Sequence, residues 1–151
     1  MKHYLRNLMT FMMLCVLMAC TTSKTTVSIN ANLSKYKYAS IINNDTYRIP
    51  AELMEYEILL YDAVENSKLE LVSDLRIYEL TPQQQSQLLL VKYGVQQNEN
   101  ETIVTVNFID YISGRPVVSC RGAYGLSFGR AGDLKGAIKR VGEQISETFN
   151  K

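Results

Sequence analysis

The amino-terminal part of the chain changes from basic to apolar to polar within its first 32 residues. Lys2 and Arg6 come first, and residues 8–19 follow with Thr10 as their only polar side chain. This length is typical of the apolar region of a secretory signal, and it falls short of the roughly 20 apolar residues that a membrane-spanning helix needs. The pattern therefore predicts a lipoprotein signal peptide over residues 1–19.

The apolar run ends in Leu17-Met-Ala-Cys20, which is typical of a lipobox. It predicts that Cys20 becomes the lipidated amino terminus. Each buried methylene contributes about 0.8 kcal/mol, so two or three acyl chains would hold the protein on a membrane almost permanently. No Asp follows Cys20 directly, and we therefore expect the periplasmic face of the outer membrane. The alternatives are an ordinary signal peptide with a chance cysteine and an uncleaved anchor.

The residues after Cys20 are small and polar, and they show no apolar period. Residues 20–32 are therefore predicted to be the lipidated amino terminus and a flexible tether with a span of about 20 Å. Residues 33–151 are predicted to form one domain, because their number suits a single hydrophobic core.

The first half of this domain predicts two short strands around a helix. Residues 36–43 are rich in aromatic and β-branched side chains, as strands are. Pro50 suits the first turn of a helix, and residues 51–65 follow with Leu53, Leu60 and Val64 on one side, widened by Ile58 and Tyr61. A short strand is expected at residues 69–73 and a capped helical turn at Thr81-Pro82.

The second half predicts a meander of three strands, at residues 88–96, 102–112 and 117–126, with turns between them. A closing helix is expected over residues 133–149, and Gly136 and Gly142 in it predict close packing against the sheet. The fold class is therefore α+β. We expect an antiparallel sheet of about four to five strands with two helices packed on one face, in the order β-α-β-β-β-β-α.

Composition excludes several function classes. The chain has 16 basic and 15 acidic side chains, and two of the basic ones lie in the predicted signal, so the mature charge is −1 and a nucleic-acid partner is not expected. The only histidine, His3, also lies in the signal, which excludes Ser-His-Asp and Cys-His catalysis and the usual zinc sites. No metal or cofactor is expected. Cys120 is the remaining thiol, and the alternatives are a buried small hydrophobe and a redox or intermolecular thiol.

Three features are candidates for a functional site. The glycine-rich segment 122–132 leads from a strand into a helix, but its spacing matches no phosphate-binding motif. Glu57 falls near the apolar side of the first helix, and a second acid beside it would be needed for hydrolysis by carboxylates. Tyrosine suits contact with proteins or sugars. The candidate partner surface consists of Tyr36, Tyr38, Tyr124 and Phe128, with the core or its rim as the alternative location.

Two short motifs carry a resemblance to known proteins. These are Ser34-Lys-Tyr-Lys-Tyr38 and the segment Ile109-Asp-Tyr-Ile-Ser-Gly-Arg-Pro-Val117, which is followed by Arg121-Gly122. The chain resembles small uncharacterised envelope lipoproteins of the Bacteroidetes type with a single α+β domain. The resemblance implies this fold and this location, and it carries no activity.

We therefore expect a lipid-anchored, non-enzymatic binding or scaffolding domain whose partners are the membrane and an envelope protein or glycan. The first alternative is an accessory subunit of an envelope export or assembly complex. The second is a hydrolase that uses carboxylates around Glu57.

Overall fold

The computed structural model describes residues 23–42, 51–125 and 129–150. The predicted signal peptide, Cys20 and Phe128 lie outside these ranges. The strands are β1 (Ser23–Val27), β2 (Tyr38–Ile41), β3 (Glu70–Leu71), β4 (Leu88–Gln97), β5 (Thr102–Asp110) and β6 (Pro116–Tyr124). The helices are α1 (Ala51–Glu65), the single turn α2 (Pro82–Gln85) and α3 (Arg130–Phe149), with two 3-10 helices at Leu33–Lys35 and Asp74–Glu79.

The strands form one six-stranded sheet in the order β1-β6-β5-β4-β2-β3. The meander β4-β5-β6 is antiparallel, as predicted. However, β2 is parallel to both β3 and β4, so the sheet is mixed, and the predicted antiparallel sheet of four to five strands is wrong. The physical reason is the crossover between β2 and β3. Helix α1 returns the chain to the end of the sheet at which β2 began, and two strands joined by such a crossover run parallel.

The sixth strand comes from the segment for which the sequence predicts a flexible tether. Ser23–Val27 pairs antiparallel with β6, with Lys24 opposite Arg121 and Thr25 opposite Cys120. Without β1, β6 would be a free edge with unpaired backbone groups. The prediction of a tether is therefore wrong over residues 23–27, and the folded domain begins at residue 23 instead of 33.

Helices α1 and α3 lie side by side and pack on the core face of the sheet. The predicted stripe of α3 is buried, and the Phe149 ring lies 4.7 Å from the Phe108 ring of β5, centroid to centroid. Helix α1 contributes Leu60 and Val64, which are 3% and 0% exposed. Ile58 and Tyr61 do not widen this buried stripe, because they are 62% and 38% exposed.

One glycine of β6 and one of α3 permit neighbouring elements to pack closely. A Cβ at Gly122 of β6 would overlap the backbone carbonyl of Ala137 in α3. A Cβ at Gly142 would lie 3.2 Å from the Cβ of Ala63 in α1. Gly142 therefore permits helix–helix contact, not the helix–sheet contact that its sequence position suggests.

The capped turn predicted at Thr81-Pro82 is confirmed. Thr81 and Gln84 form a capping box in which each side chain accepts a hydrogen bond from the other residue's backbone N–H. The Gln84 amide also donates a bond of 3.4 Å to the Tyr38 hydroxyl, and this contact holds the turn against β2.

Candidate partner surface and the groups around it

Of the two tyrosines of the candidate partner surface that lie nearest to β2, Tyr36 is buried and Tyr38 is half-buried. Tyr36 is 4% exposed, and its hydroxyl donates a 2.9 Å hydrogen bond to Asp110. Tyr38 is half-buried beneath Gln84. Tyr36 therefore belongs to the core, and its ring is not available to a partner.

Tyr124 is half-buried at the end of β6. Its ring covers Gly136 of α3, where a Cβ would lie 2.5 Å from the ring. The Arg140 guanidinium lies 4.8 Å from the ring centroid, and its Nη1 donates a 2.7 Å hydrogen bond to the carbonyl of Ala123. These contacts dock α3 on the sheet. Phe128 lies outside the described residues, so the structure does not bring the four predicted aromatic residues together.

The carboxylate of Asp110 accepts four hydrogen bonds. Its Oδ2 accepts bonds of 2.9 Å from Lys35 Nζ and the Tyr36 hydroxyl, and its Oδ1 accepts bonds of 2.8 Å from the N–H and hydroxyl of Ser113. Burial alone would raise the pKa of Asp110, but these donors together hold it well below its usual value. We call this group of four residues the Asp110 clamp.

The clamp closes the hairpin between β5 and β6. Gly114 in this turn has a φ of +66°, which favours glycine, and its N–H bonds to the Asp110 carbonyl at 2.8 Å. Because both carboxylate oxygens already accept two bonds, Asp110 has a structural role. The two motifs quoted in the sequence analysis therefore meet at this turn.

Of the two alternatives for Cys120, a buried small hydrophobe and a redox or intermolecular thiol, the structure supports the first. Cys120 is fully buried, and burial raises the pKa of its thiol to about 11. Beside it, Gln144 of α3 is 6% exposed. The Gln144 amide bonds to the N–H and carbonyl of Arg121 at 3.2 and 3.0 Å, and it accepts a 2.9 Å bond from the Thr25 hydroxyl. Gln144 thereby ties α3 to β6 and β1.

Glu57 lines a small cavity with a volume of about 20 Å³. It accepts a 3.0 Å hydrogen bond from the Tyr93 hydroxyl, and burial and this carboxylate raise the pKa of Tyr93 far above its usual value. The cavity has room for about one water molecule. Among the described residues, Glu57 is the only carboxylate in the lining. Within the described part of the chain, the lining contains no second acid of the kind that the hydrolase hypothesis requires.

A surface of exposed apolar side chains lies on the outer side of α1. Met54, Ile58 and Tyr61 are 58%, 62% and 38% exposed, and their spacing places them on one stripe of the helix. The neighbouring 3-10 helix adds Leu75 and Tyr78, which are 77% and 79% exposed. We call these five residues the α1 flank.

The two parts of the α1 flank are close together. Burial, followed by the charges of Glu57 and Asp74, raises the pKa of the Tyr61 hydroxyl. Asp74 is the residue directly before Leu75, and its carboxylate accepts a 2.8 Å bond from the Leu75 N–H. The start of the 3-10 helix therefore lies near enough to Tyr61 of α1 for the charge of Asp74 to act on the hydroxyl. The carboxylates whose charges act on the Tyr61 hydroxyl are those of Glu57 and Asp74.

The sequence contains a signal for this surface that the periodicity argument misses. Helix α1 has apolar residues on two sides, and a helix of this kind buries one side in the core and leaves the other for a second contact. Periodicity assigns Ile58 and Tyr61 to the core because they lie next to the stripe that contains Leu60. Leu75 and Tyr78 lie in a segment without a regular period.

Two further observations concern membranes and metals. None of the described helices is long and apolar enough to cross a membrane. Nor does the described part of the chain contain a group of three or more His, Cys, Asp or Glu side chains that could hold a metal ion.

Comparison with known proteins gives the fold but no family. No family model matches the chain, and no curated protein does. Among solved structures, the chain is similar to a PelC dodecamer from Paraburkholderia phytofirmans, with 12% identity and a TM-score of 0.56 over 86% of this chain and 98% of that chain. A dodecamer of a PelC variant from the same organism gives 13% identity and a TM-score of 0.56, over 87% of this chain and 100% of that chain.

A PDZ domain protein from Parabacteroides distasonis is also similar, with 14% identity and a TM-score of 0.54 over 87% of this chain and 36% of that chain. At these identities the likeness concerns the α+β fold alone.

Proposed function

We propose that this protein is a lipid-anchored lipoprotein of the outer membrane, facing the periplasm, whose domain binds a partner protein and catalyses no reaction. The α1 flank is the observation that carries the binding role. Contiguous exposed apolar surface on a small soluble domain is typical of an interaction site, and tyrosine and methionine are enriched in such sites. The flank contains both, with Met54, Tyr61 and Tyr78 exposed.

The anchor is the second part of the proposal, and it rests on Leu17-Met-Ala-Cys20. Its test is the substitution Cys20→Ser in the native host. We expect the variant to accumulate as uncleaved precursor, while the wild-type protein carries acyl groups that are visible in its intact mass. Normal maturation of the variant and its sedimentation with envelopes would contradict the anchor.

Crosslinking in cells tests the binding role. A photoreactive amino acid at position 58 or 78 is expected to give a discrete adduct, whose partner mass spectrometry identifies. A matched position is Lys92, which is exposed on β4 away from the flank, and it should give no such adduct. If positions 58 and 78 give only the uncrosslinked monomer in all growth conditions, the flank is not a binding surface.

A second candidate function is that of a subunit in an envelope assembly built from copies of this chain. The observation in its favour is the likeness to PelC, whose structure is that of a dodecamer. Native mass spectrometry of the protein extracted in mild detergent separates the two candidates. A ring of identical subunits would identify the adduct at position 58 as a second copy, and a monomer would exclude the assembly.

A further inference from the structure

The distance along the chain between the predicted anchor and the folded domain is short. Only Thr21 and Thr22 separate Cys20 from Ser23, where β1 begins. Three steps between consecutive Cα atoms span at most about 11 Å. The domain is therefore held at one fixed corner, without the longer tether that the sequence suggests.

That corner belongs to one end of the sheet. Ser23 lies opposite Gly122, close to the end of β6 at Tyr124. Tyr124 in turn lies opposite Thr102, and Thr102 opposite Gln97. The proximal end therefore consists of Ser23, the end of β6 and the hairpin at residues 98–101.

The Asp110 clamp marks the other, distal end. From Thr102 to Asp110, β5 rises by about 26 Å at about 3.3 Å per residue. Helix α1 runs parallel to α3. The Tyr56 hydroxyl near the start of α1 donates a hydrogen bond to the carbonyl of Ala131 at the start of α3, and the Asn150 amide at the end of α3 donates one to the carbonyl of Asn66 just after α1.

We propose that the bilayer that carries Cys20 contacts the proximal end, so that the domain stands on the membrane with the Asp110 clamp pointing away from it. This inference rests on the lipidation in the proposed function. A leash of about 11 Å is shorter than the sheet is tall, so it keeps the proximal end near the headgroups. The α1 flank then faces sideways, parallel to the membrane plane, where it can meet a neighbouring protein.

The charges of the proximal end are compatible with a headgroup surface. Lys24, Arg130 and Lys135 are exposed there, and basic side chains are attracted to an anionic membrane surface. Acidic side chains also lie at this end, at positions 99, 101 and 133. The bases and acids at this end are equal in number, so the short link to Ser23, which keeps this end of the sheet near the membrane, is the main basis of the proposed orientation.

Fluorescence energy transfer on the acylated full-length protein tests the orientation. Single dyes are placed by Asn98→Cys in the proximal hairpin or Ile112→Cys in the distal turn, in vesicles of phosphatidylethanolamine and phosphatidylglycerol that contain headgroup-labelled acceptor lipid. Ile112 is 64% exposed, and Cys120 is fully buried, so labelling is confined to the new thiol. We expect clearly higher transfer efficiency at position 98 than at position 112.

The control is a 15-residue Gly-Ser insertion between Thr22 and Ser23, which should bring the two efficiencies together because the domain can then turn freely. Equal efficiencies in acylated protein without the insertion would overturn the orientation and leave the anchor intact. An intact mass without acyl groups would overturn the anchor, and the orientation with it.

Discussion

The hydroxyl of Tyr36 donates a 2.9 Å hydrogen bond to the carboxylate of Asp110, across 74 residues of sequence. This bond joins the segment before β2 to the hairpin between β5 and β6. A buried tyrosine hydroxyl needs a hydrogen-bond partner inside the protein, and for Tyr36 this partner is the Asp110 carboxylate. The same carboxylate also accepts hydrogen bonds from Lys35 and Ser113.

Replacing Asp110 by Asn should destabilise the domain by about 1–3 kcal/mol, because the donors from Lys35, Tyr36 and Ser113 lose a charged acceptor. Urea unfolding followed by circular dichroism measures the change. The matched control is Lys35→Gln, whose expected cost is below about 1 kcal/mol because the Lys35 side chain is 45% exposed. Equal costs for the two variants would contradict the role assigned to the carboxylate.

The same carboxylate predicts a pH dependence. Its pKa in the folded protein lies below the ordinary value of 3.8, so its stabilising effect is complete above that value and is lost as the pH falls below it. The free energy of unfolding of the wild-type protein should therefore decrease below about pH 4. In Asp110→Asn this acid-dependent loss should be smaller, since the group that must take up a proton is gone. Parallel curves for both proteins would exclude Asp110 as the cause.

Replacing Gln144 by Ala should loosen the amino-terminal strand. The Gln144 amide bonds to Arg121 and Thr25, and its removal takes away three hydrogen bonds that join α3 to β6 and β1, at a cost of about 1–3 kcal/mol. Hydrogen exchange should accelerate most in residues 23–27. The exposed neighbour Glu143 provides the control variant Glu143→Ala, in which exchange of β1 should stay unchanged. Unaltered exchange in Gln144→Ala would show that β1 does not depend on this amide.

Two glycines in strands should respond to alanine in opposite ways. Gly122→Ala places a methyl group against the Ala137 carbonyl, so α3 must move, with an expected cost of about 1–3 kcal/mol. Gly94→Ala meets no atom within 4 Å and should be neutral or stabilising by about 0.4–1 kcal/mol, because it restricts the unfolded chain. Melting temperatures of the two variants test this contrast, and a similar loss in both would argue against the close approach of helix and sheet.

Substitutions on the exposed side and on the buried side of α1 should have different effects on the free energy of unfolding, measured by urea unfolding. Ile58→Ala should change the free energy of unfolding by no more than about 0.5 kcal/mol, because Ile58 is 62% exposed. Leu60→Ala, two positions further along, should cost about 2–5 kcal/mol, since Leu60 is 3% exposed. A large loss in Ile58→Ala would mean that Ile58 packs within the domain and is not available to a partner.

The sequence alone was sufficient for the local structure. The alternation of apolar and polar residues predicted β4, β5 and β6, and the stripe from Leu134 to Phe149 predicted α3, because these patterns depend on neighbours within one element. Thr81 and Pro82 predicted their capped turn for the same reason. Composition alone was also sufficient to exclude catalysis that needs a histidine in the mature chain and a disulfide within it, because no histidine follows His3 and one cysteine follows Cys20.

Only the tertiary structure decided which strands pair and which side chains are exposed. Ser23–Val27 is polar and suggests a tether, and it becomes a strand because β6 and Gln144 offer it partners from more than 90 residues away. Tyr36 was a candidate for the surface and is buried, whereas Ile58 was expected beside the buried stripe of α1 and is exposed. The first is buried by its bond to Asp110, and the second stays outside because Leu60 occupies the side of α1 that faces the core. Periodicity reports that a side chain lies on a face, but what covers that face depends on contacts between elements that are distant in the chain.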